Sequence, residues 1–310
     1  MKIIYKLLFL FLLTIGYSSC DFLDIVPDEI TTEADAFKDR NAAKNFVYSC
    51  YGYLPQSNVA SGSLDLLTGD EVITAFEHET FASFPKGNYT ASSPVISYWN
   101  TFFQGLRQCY IFLENVDKVP DLTESVKTDY IAQVKFLIAY YHYQLARCYG
   151  PIILIKELPD VNASQAEYLP RTSYDECVDW ICNLLDEAAS SLPAIRTNKE
   201  DYGLATSVGA KAVKAKMLLY AASPLFNGNS SFYSNFTDKS GSQLMPLTYD
   251  PNKWVKAKTA IKEAIDLAEQ NGHALYVKQD YKIGNEDANP YPAAGPVRCL
   301  RTSLVDWDSR

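Results

Sequence analysis

VKFLIAYYHYQLARCYGPIILI, residues 134–155, decides the fold. Tyr130, Val134, Leu137, Tyr141, Leu145 and Cys148 recur at helical spacing up to the Gly150-Pro151 stop. Ile131, Phe136, Ile138, Tyr140 and Tyr143 fill the other sides of the same helix, so more than one face has to be covered by protein. Such a helix lies between layers of other helices, and the flanking sequence supplies them.

Upstream, Val95, Tyr98, Phe102, Leu106, Cys109, Leu113 and Val116 form a long apolar stripe ending before Pro120. Ser93-Pro94 offers this helix an N-cap and a proline at its first position. The short connection to the next helix makes the two antiparallel neighbours. Further upstream, Thr32 with Asp35 is a capping pair, and Phe37, Val47, Tyr51 and Leu54 share one helical face up to Pro55. Between these helices, residues 57–92 are rich in Ser, Gly, Thr and Asn and keep no period, which predicts a loop with at most a short strand or helix.

Downstream, Ser173 with Glu176 is a capping box ahead of Cys177, Ile181, Leu184, Ala188 and Leu192. Residues 205–223 carry Val208, Ala212, Ala215, Leu219 and Ala222, small enough for close helix approach. A last stripe, Trp254, Ala257, Ile261, Ala264 and Ala268, stops at Asn271-Gly272. The expected fold is all-α: degenerate tetratricopeptide-like helical repeats built of antiparallel helix pairs, with long irregular loops and minor short strands. A strict period of roughly 34 residues is not visible.

The ends read differently. Lys2 and Lys6 precede an apolar run from Leu7 to Ile15, shorter than the roughly 20 residues of a membrane span, so residues 1–19 read as a signal peptide. Tyr17-Ser18-Ser19-Cys20 stands at its exit, with Tyr17 where the commonest lipobox has Leu. Cys20 is the expected lipidation site of a bacterial lipoprotein; the alternative is a cysteine that merely lies near a peptidase site. Residues 20–32 are acidic, contain Pro27 and form a leash; residues 33–275 form the helical-repeat domain. Residues 276–310 turn rich in Pro, Gly and Asn and stop at Trp307-Asp308-Ser309-Arg310 without a closing element, which reads as the irregular start of a missing C-terminal region.

The chain has a net charge of −9, and it becomes more acidic once a leader carrying Lys2 and Lys6 is removed. That balance disfavours nucleic acid and anionic membrane surfaces as partners. Of the seven cysteines, Cys50, Cys109, Cys148, Cys177 and Cys182 sit in apolar helical patterns, where free thiols are favoured over bridges although an exported chain permits both. His78, His142 and His273 are isolated, and Cys177 and Cys182 point in different directions on one helix, so no metal and no cofactor is expected. The Asn-x-Ser/Thr sites at Asn88, Asn162, Asn229 and Asn235 read as coincidence in a bacterial lipoprotein.

Three stretches together resemble the SusD/RagB family of Bacteroidetes outer-membrane lipoproteins. CDFLDIVPDEITTEADAF (residues 20–37) is similar to the family's lipidated cysteine, hydrophobic-Asp pair, proline and Thr-containing entry to the first helix. VKFLIAYYHYQLARCYGPIILI is similar to its aromatic helix closed by Tyr-Gly and an apolar strand. The third combines YLPRTSYDECVDWICNLLDEAASSLP (residues 168–193) with GLATSVGAKAVKAKMLLYAASPLF (residues 203–226). The resemblance spans residues 20 to about 270. It implies a surface-exposed helical protein, lipid-anchored in the outer membrane, that closes over a SusC-like TonB-dependent transporter and hands it oligosaccharides or other nutrients. Asp21, Asp24 and Asp28 match the family's acidic surface-export signal.

Capturing a sugar without cleaving it needs aromatic faces for the pyranose C–H surface and amides, carboxylates or guanidinium groups for its hydroxyls. Most of the 22 Tyr, 15 Phe and 4 Trp fall on helix stripes, Trp180, Trp254, Phe102 and Tyr141 among them, and read as core. The glycan-binding candidates are aromatics in polar loops, Phe84, Tyr89 and Trp307, with Asn88, Asp70, Glu71 and Arg107 as partners. Trp99, in the first turn of a long helix, is either a further ligand residue or an anchor between helix and loop. A glycoside hydrolase is the unlikely rival: Asp70-Glu71 and Asp186-Glu187 are adjacent pairs that cannot flank a scissile bond, and the latter sits on a predicted solvated side, so no catalytic residue is expected. A lipid-anchored scaffold binding only protein shares every feature up to residue 270.

Overall fold

The computed structural model describes residues 33–55, 80–160, 162 and 169–274. The signal peptide, the leash, Thr32, most of the 57–92 loop and residues 276–310 lie outside them.

The helices in chain order are α1 (Glu33–Ala36), α2 (Arg40–Tyr51), α3 (Trp99–Asn115), α4 (Glu124–Tyr149), α5 (Tyr174–Ser191), α6 (Ser207–Ala222), α7 (Ser230–Tyr233) and α8 (Asn252–Gln270). Among the described residues none is long and apolar enough to cross a membrane. No strand forms there either; a lone bridge between Thr237 and Gln243 replaces the expected short strands. Just after Gly150-Pro151, among the described residues, the Ile152 carbonyl accepts the Thr172 N–H at 2.7 Å, and no ladder forms. Ile152 and Leu154 are buried all the same.

The chain divides into two compact units, one running to Tyr141 and including Ile155–Ala163, the other comprising His142–Leu154 and the residues from Ser164 on. In the first, α2 and α3 form an antiparallel pair: Phe46 stacks with Phe112 at 6.3 Å, and Gln108 Nε2 donates to Ser49 Oγ at 3.1 Å. Gly105 sets their separation, since a Cβ there would stand 3.0 Å from both the Tyr53 Cβ and the Tyr141 ring. The N-terminal part of α4 closes this core through Tyr141, which stacks on Phe102 and donates its hydroxyl to the Cys50 carbonyl at 2.5 Å. Burial pushes the Tyr141 phenol well above its ordinary range, so it stays protonated and donating. The prediction that α4 is covered on several faces holds: Val134, Leu137, Ile138, Ala139, Tyr141, Tyr143 and Leu145 are all buried.

In the second unit, α5 and α6 run antiparallel. Ser207 N–H reaches the Pro193 carbonyl at 3.0 Å, and farther along Asp186 takes Lys211 and Lys214, each at 2.6 Å. Helix α8 packs back on α6 through Ala215, Ala260 and Ala264, residues small enough for close approach. Apart from the single turns α1 and α7, of 4 residues each, the described helices run from 12 residues in α2 to 26 in α4, so the antiparallel pairing is expressed without a fixed repeat unit.

Several local expectations give way to tertiary context. The first helix is broken after Ala36 and restarts at Asp39, whose carboxylate caps Asn41 and Ala42 N–H at 2.9 and 2.8 Å. Ser93-Pro94 does not open α3; Thr90 holds Ser93 in a turn, and the helix starts five residues after Pro94, at Trp99. Ser173 is the N-cap of α5 but makes no capping bond through its side chain, and Tyr174 N–H goes to the Leu244 carbonyl at 2.9 Å. Trp254 is 42% exposed, not core, and Leu219 and Ala212 of the α6 stripe also face outward. Packing on both α5 and α8 leaves that side of α6 uncovered. The Asn271-Gly272 stop forms as predicted, with Gly272 at φ 82° and its N–H on the Glu269 carbonyl.

Candidate functional site

Of the predicted site residues, Cys20, Asp21, Asp24, Asp28, Asp70, Glu71 and Trp307 lie outside the described residues. The remaining five belong to the first unit.

Phe84, Asn88 and Tyr89 are brought together by a helix-stop device. The 3₁₀ turn Thr80–Ser83 ends with Gly87 at φ 65°, a left-handed position that favours glycine. Gly87 N–H bonds the Phe84 carbonyl at 2.9 Å and Asn88 N–H the Ser83 carbonyl at 3.0 Å, the two crossed bonds of a Schellman motif. Immediately after Tyr89, Thr90 and Ser93 exchange backbone bonds at 3.1 and 3.2 Å, and Thr90 Oγ1 accepts the Ser93 N–H at 3.0 Å. Tyr89 is therefore held on both sides by closed turns. Its ring is 53% exposed and meets Phe84 at 5.5 Å with a 58° tilt. Asn88 is exposed beside it. A ring supported from behind by a second ring, with an amide next to it, can stack on an apolar sugar face and bond a hydroxyl.

Trp99 and Arg107 are engaged elsewhere. The Trp99 ring is half-buried and packs on Phe103, one turn along the same helix α3, at 5.0 Å. Beside it, Tyr98, Phe102 and Tyr141 form a stacked series at 5.0 and 5.7 Å that runs into the core. Arg107 donates Nη1 to the Pro159 carbonyl at 2.9 Å and so pins a loop. That contact spans 52 residues of sequence, and nothing in the local pattern announces it.

Of the two acid pairs weighed for hydrolysis, Asp70-Glu71 lies outside the described residues, and in the other Asp186 is tied into ion pairs. Asp186 is half-buried, not solvated: burial would raise its carboxyl, but hydrogen bonds from Lys211 and Lys214 outweigh that and hold it below the usual carboxylate range. His142 is fully buried and meets the Trp180 ring edge-on at 4.8 Å. One feature of the second unit was missed by the sequence reading. Leu219, Trp254, Ile261 and Ile265 line an apolar groove between α6 and α8, edged by Lys258, Lys262 and Asp266. The exposure of Trp254 within an otherwise regular stripe is what marks it.

Residues 21–219 match the profile of a family described as starch-binding and associating with the outer membrane. A curated relative, the SusD-like protein P25 of Formosa agariphila, is 23% identical over 230 residues, covering 70% of this chain and 43% of its own. The solved structure of BT4246 superposes with a TM-score of 0.68 at 34% identity, covering 78% of this chain and 42% of that one. A solved laminarin-binding SusD-like protein shares the fold with a TM-score of 0.52 at 21% identity, over 60% of this chain and 41% of its own. The chain thus spans about two fifths of the length of the relatives it matches.

Proposed function

Since the chain belongs to the SusD-like family, we propose that it is a lipid-anchored surface protein that captures a glycan without cleaving it and delivers it to a SusC-like TonB-dependent transporter. The observation that carries the capture step is Tyr89, an exposed ring on a backbone locked by the Gly87 stop on one side and the Thr90–Ser93 turn on the other. A pre-set ring loses little conformational freedom on binding, which favours affinity. Phe84 backs the ring and Asn88 supplies a hydroxyl partner; Trp99 buttresses the start of α3. The family's description as starch-binding and the laminarin-binding relative support a neutral glucan as the first ligand to try. Cys20 carries the lipid, and Asp21, Asp24 and Asp28 direct the protein to the cell exterior. Their support is the signal-peptide pattern and the family's association with the outer membrane.

Native affinity electrophoresis of the chain through starch, laminarin and other polysaccharides, with a reducing-sugar assay on the same mixtures, tests this. Retardation by at least one polysaccharide with no sugar release is expected; release of reducing sugar, or retardation by none, contradicts it. The exposed groove at Trp254 favours one second reading, a scaffold that binds only protein. Failure on every polysaccharide together with co-purification of a transporter would select that reading.

A further inference from the structure

The groove between α6 and α8 runs along one side of α8, where Trp254, Ile261 and Ile265 recur at helical spacing with Leu219 of α6 beside them. Trp254 and Leu219 are each 42% exposed and Ile265 50%, a contiguous apolar surface of the kind that another piece of protein covers. The chain leaves α8 at one end of this groove. Ala268 follows Ile265 by three residues and shares its side of the helix. Its carbonyl accepts the His273 N–H at 3.0 Å, the Glu269 carbonyl accepts the Gly272 N–H at 3.1 Å, and Gly272 has φ 82°. These crossed bonds fold the backbone back over the last turn of α8. The sequence that follows, LYVKQDYKI (residues 275–283), contains no Gly, Pro or Asn. Leu275, Val277, Tyr281 and Ile283 alternate with Tyr276, Lys278, Asp280 and Lys282, and only Gln279 interrupts the apolar set, the pattern of an extended segment with one face to bury.

We infer that residues 275–283 return along α8 as an extended segment and lay Leu275, Val277 and Tyr281 into the groove. The lengths agree. From Asn271 back to Trp254 the helix covers about 26 Å at its rise of ~1.5 Å per residue. From His273 to Tyr281 an extended chain covers about 26 Å at ~3.3 Å per residue. The two rises bring Leu275 level with Ile265, Val277 with Ile261 and Tyr281 with Trp254. Asp280, on the outer side of the segment, then comes within a helical turn of Lys258, a charge of opposite sign at the groove's edge. The inference stands apart from glycan capture, and a groove filled in this way is closed to an outside helix.

Hydroxyl-radical footprinting of the full chain, read by mass spectrometry at Trp254, tests the docking. Trp254 is expected to label several-fold more slowly in the wild type than in Val277→Asp, whereas Tyr276→Asp, the same change on the outer side of the segment, should leave the rate where it was. Hydrogen exchange of the same proteins should show the 275–283 amides protected in the wild type and released in Val277→Asp, with the α8 amides unchanged, which separates release of the segment from loss of the fold. Equal labelling of Trp254 in the wild type and both variants, or exchange of the wild-type 275–283 amides at the rate of an unstructured peptide, overturns the inference. Protection of Trp254 that fades on dilution overturns it too, and assigns the groove to a second copy of the chain.

Discussion

Gly228→Ala is the substitution whose cost the structure sets most sharply. Gly228 sits at φ 79°, where a Cβ costs ~1–2 kcal/mol by itself. A Cβ built there would fall 2.2 Å from the Tyr249 nitrogen, 2.5 Å from the Thr248 carbonyl carbon and 2.6 Å from the Tyr249 Cα. All three are backbone atoms, so the strand of loop at 248–250 must retreat by about an ångström to reach van der Waals contact. That retreat pulls on Asn227, a buried amide that both donates to the Asp250 carbonyl and accepts the Asp250 N–H, each at 2.9 Å. Weakening two buried bonds adds ~1–3 kcal/mol, for a total of ~2–5 kcal/mol. Gly241→Ala is the matched control: φ is 88°, but nothing lies within 4 Å of its Cβ, so only the ~1–2 kcal/mol conformational cost remains. Equilibrium urea denaturation of the two variants reads the difference. Equal losses of stability would refute the close approach that shapes the loop between α6 and α8.

Three further outcomes follow from named contacts. Asp186→Asn should cost most at neutral pH: the folded carboxyl titrates below its unfolded value, so its stabilisation is present above about pH 4 and is lost as pH falls through the folded value. An Asp186→Asn cost that stays constant from neutral to strongly acid solution in urea titrations contradicts the Lys211–Asp186–Lys214 arrangement. Tyr141→Phe removes the hydroxyl that satisfies the Cys50 carbonyl and should lower stability by ~1–2 kcal/mol in the same assay; no change would mean that this carbonyl is satisfied otherwise. Arg107→Met should free the Pro159 carbonyl, raising protease sensitivity around residues 155–160 while leaving polysaccharide retention within about twofold; loss of retention would return Arg107 to the ligand site.

The helices and their stops were legible because local chemistry writes them. Gly150-Pro151 and Asn271-Gly272 end α4 and α8 where the residue types demand it, and the two-faced composition of α4 announced its burial on several sides. What failed was decided by neighbours distant in sequence. Ser173 stands at the N-cap of α5 without the side-chain bond its capping box predicts, and the first N–H of the helix goes to the distant Leu244 carbonyl. The Trp254 stripe was to be covered, but α6 meets α8 through small alanines and leaves the tryptophan at the rim. Asp186 was to be solvated, but two lysines of α6 reach back to it. In the candidate site, periodicity could place Phe84 and Tyr89 in a loop, and only the crossed backbone bonds at Gly87 show how that loop turns so that the two rings meet.

The measurement that bears most directly on glycan capture is isothermal titration of the chain and of Tyr89→Ala with oligosaccharides prepared from whichever polysaccharide retards the wild type. Saturable binding, weakened about tenfold in the variant (~1.4 kcal/mol) at unchanged urea midpoint, is the predicted result. Equal affinity of the two proteins would show that Tyr89 does not carry the sugar, and an absence of binding heat with every oligosaccharide would contradict capture by this part of the protein.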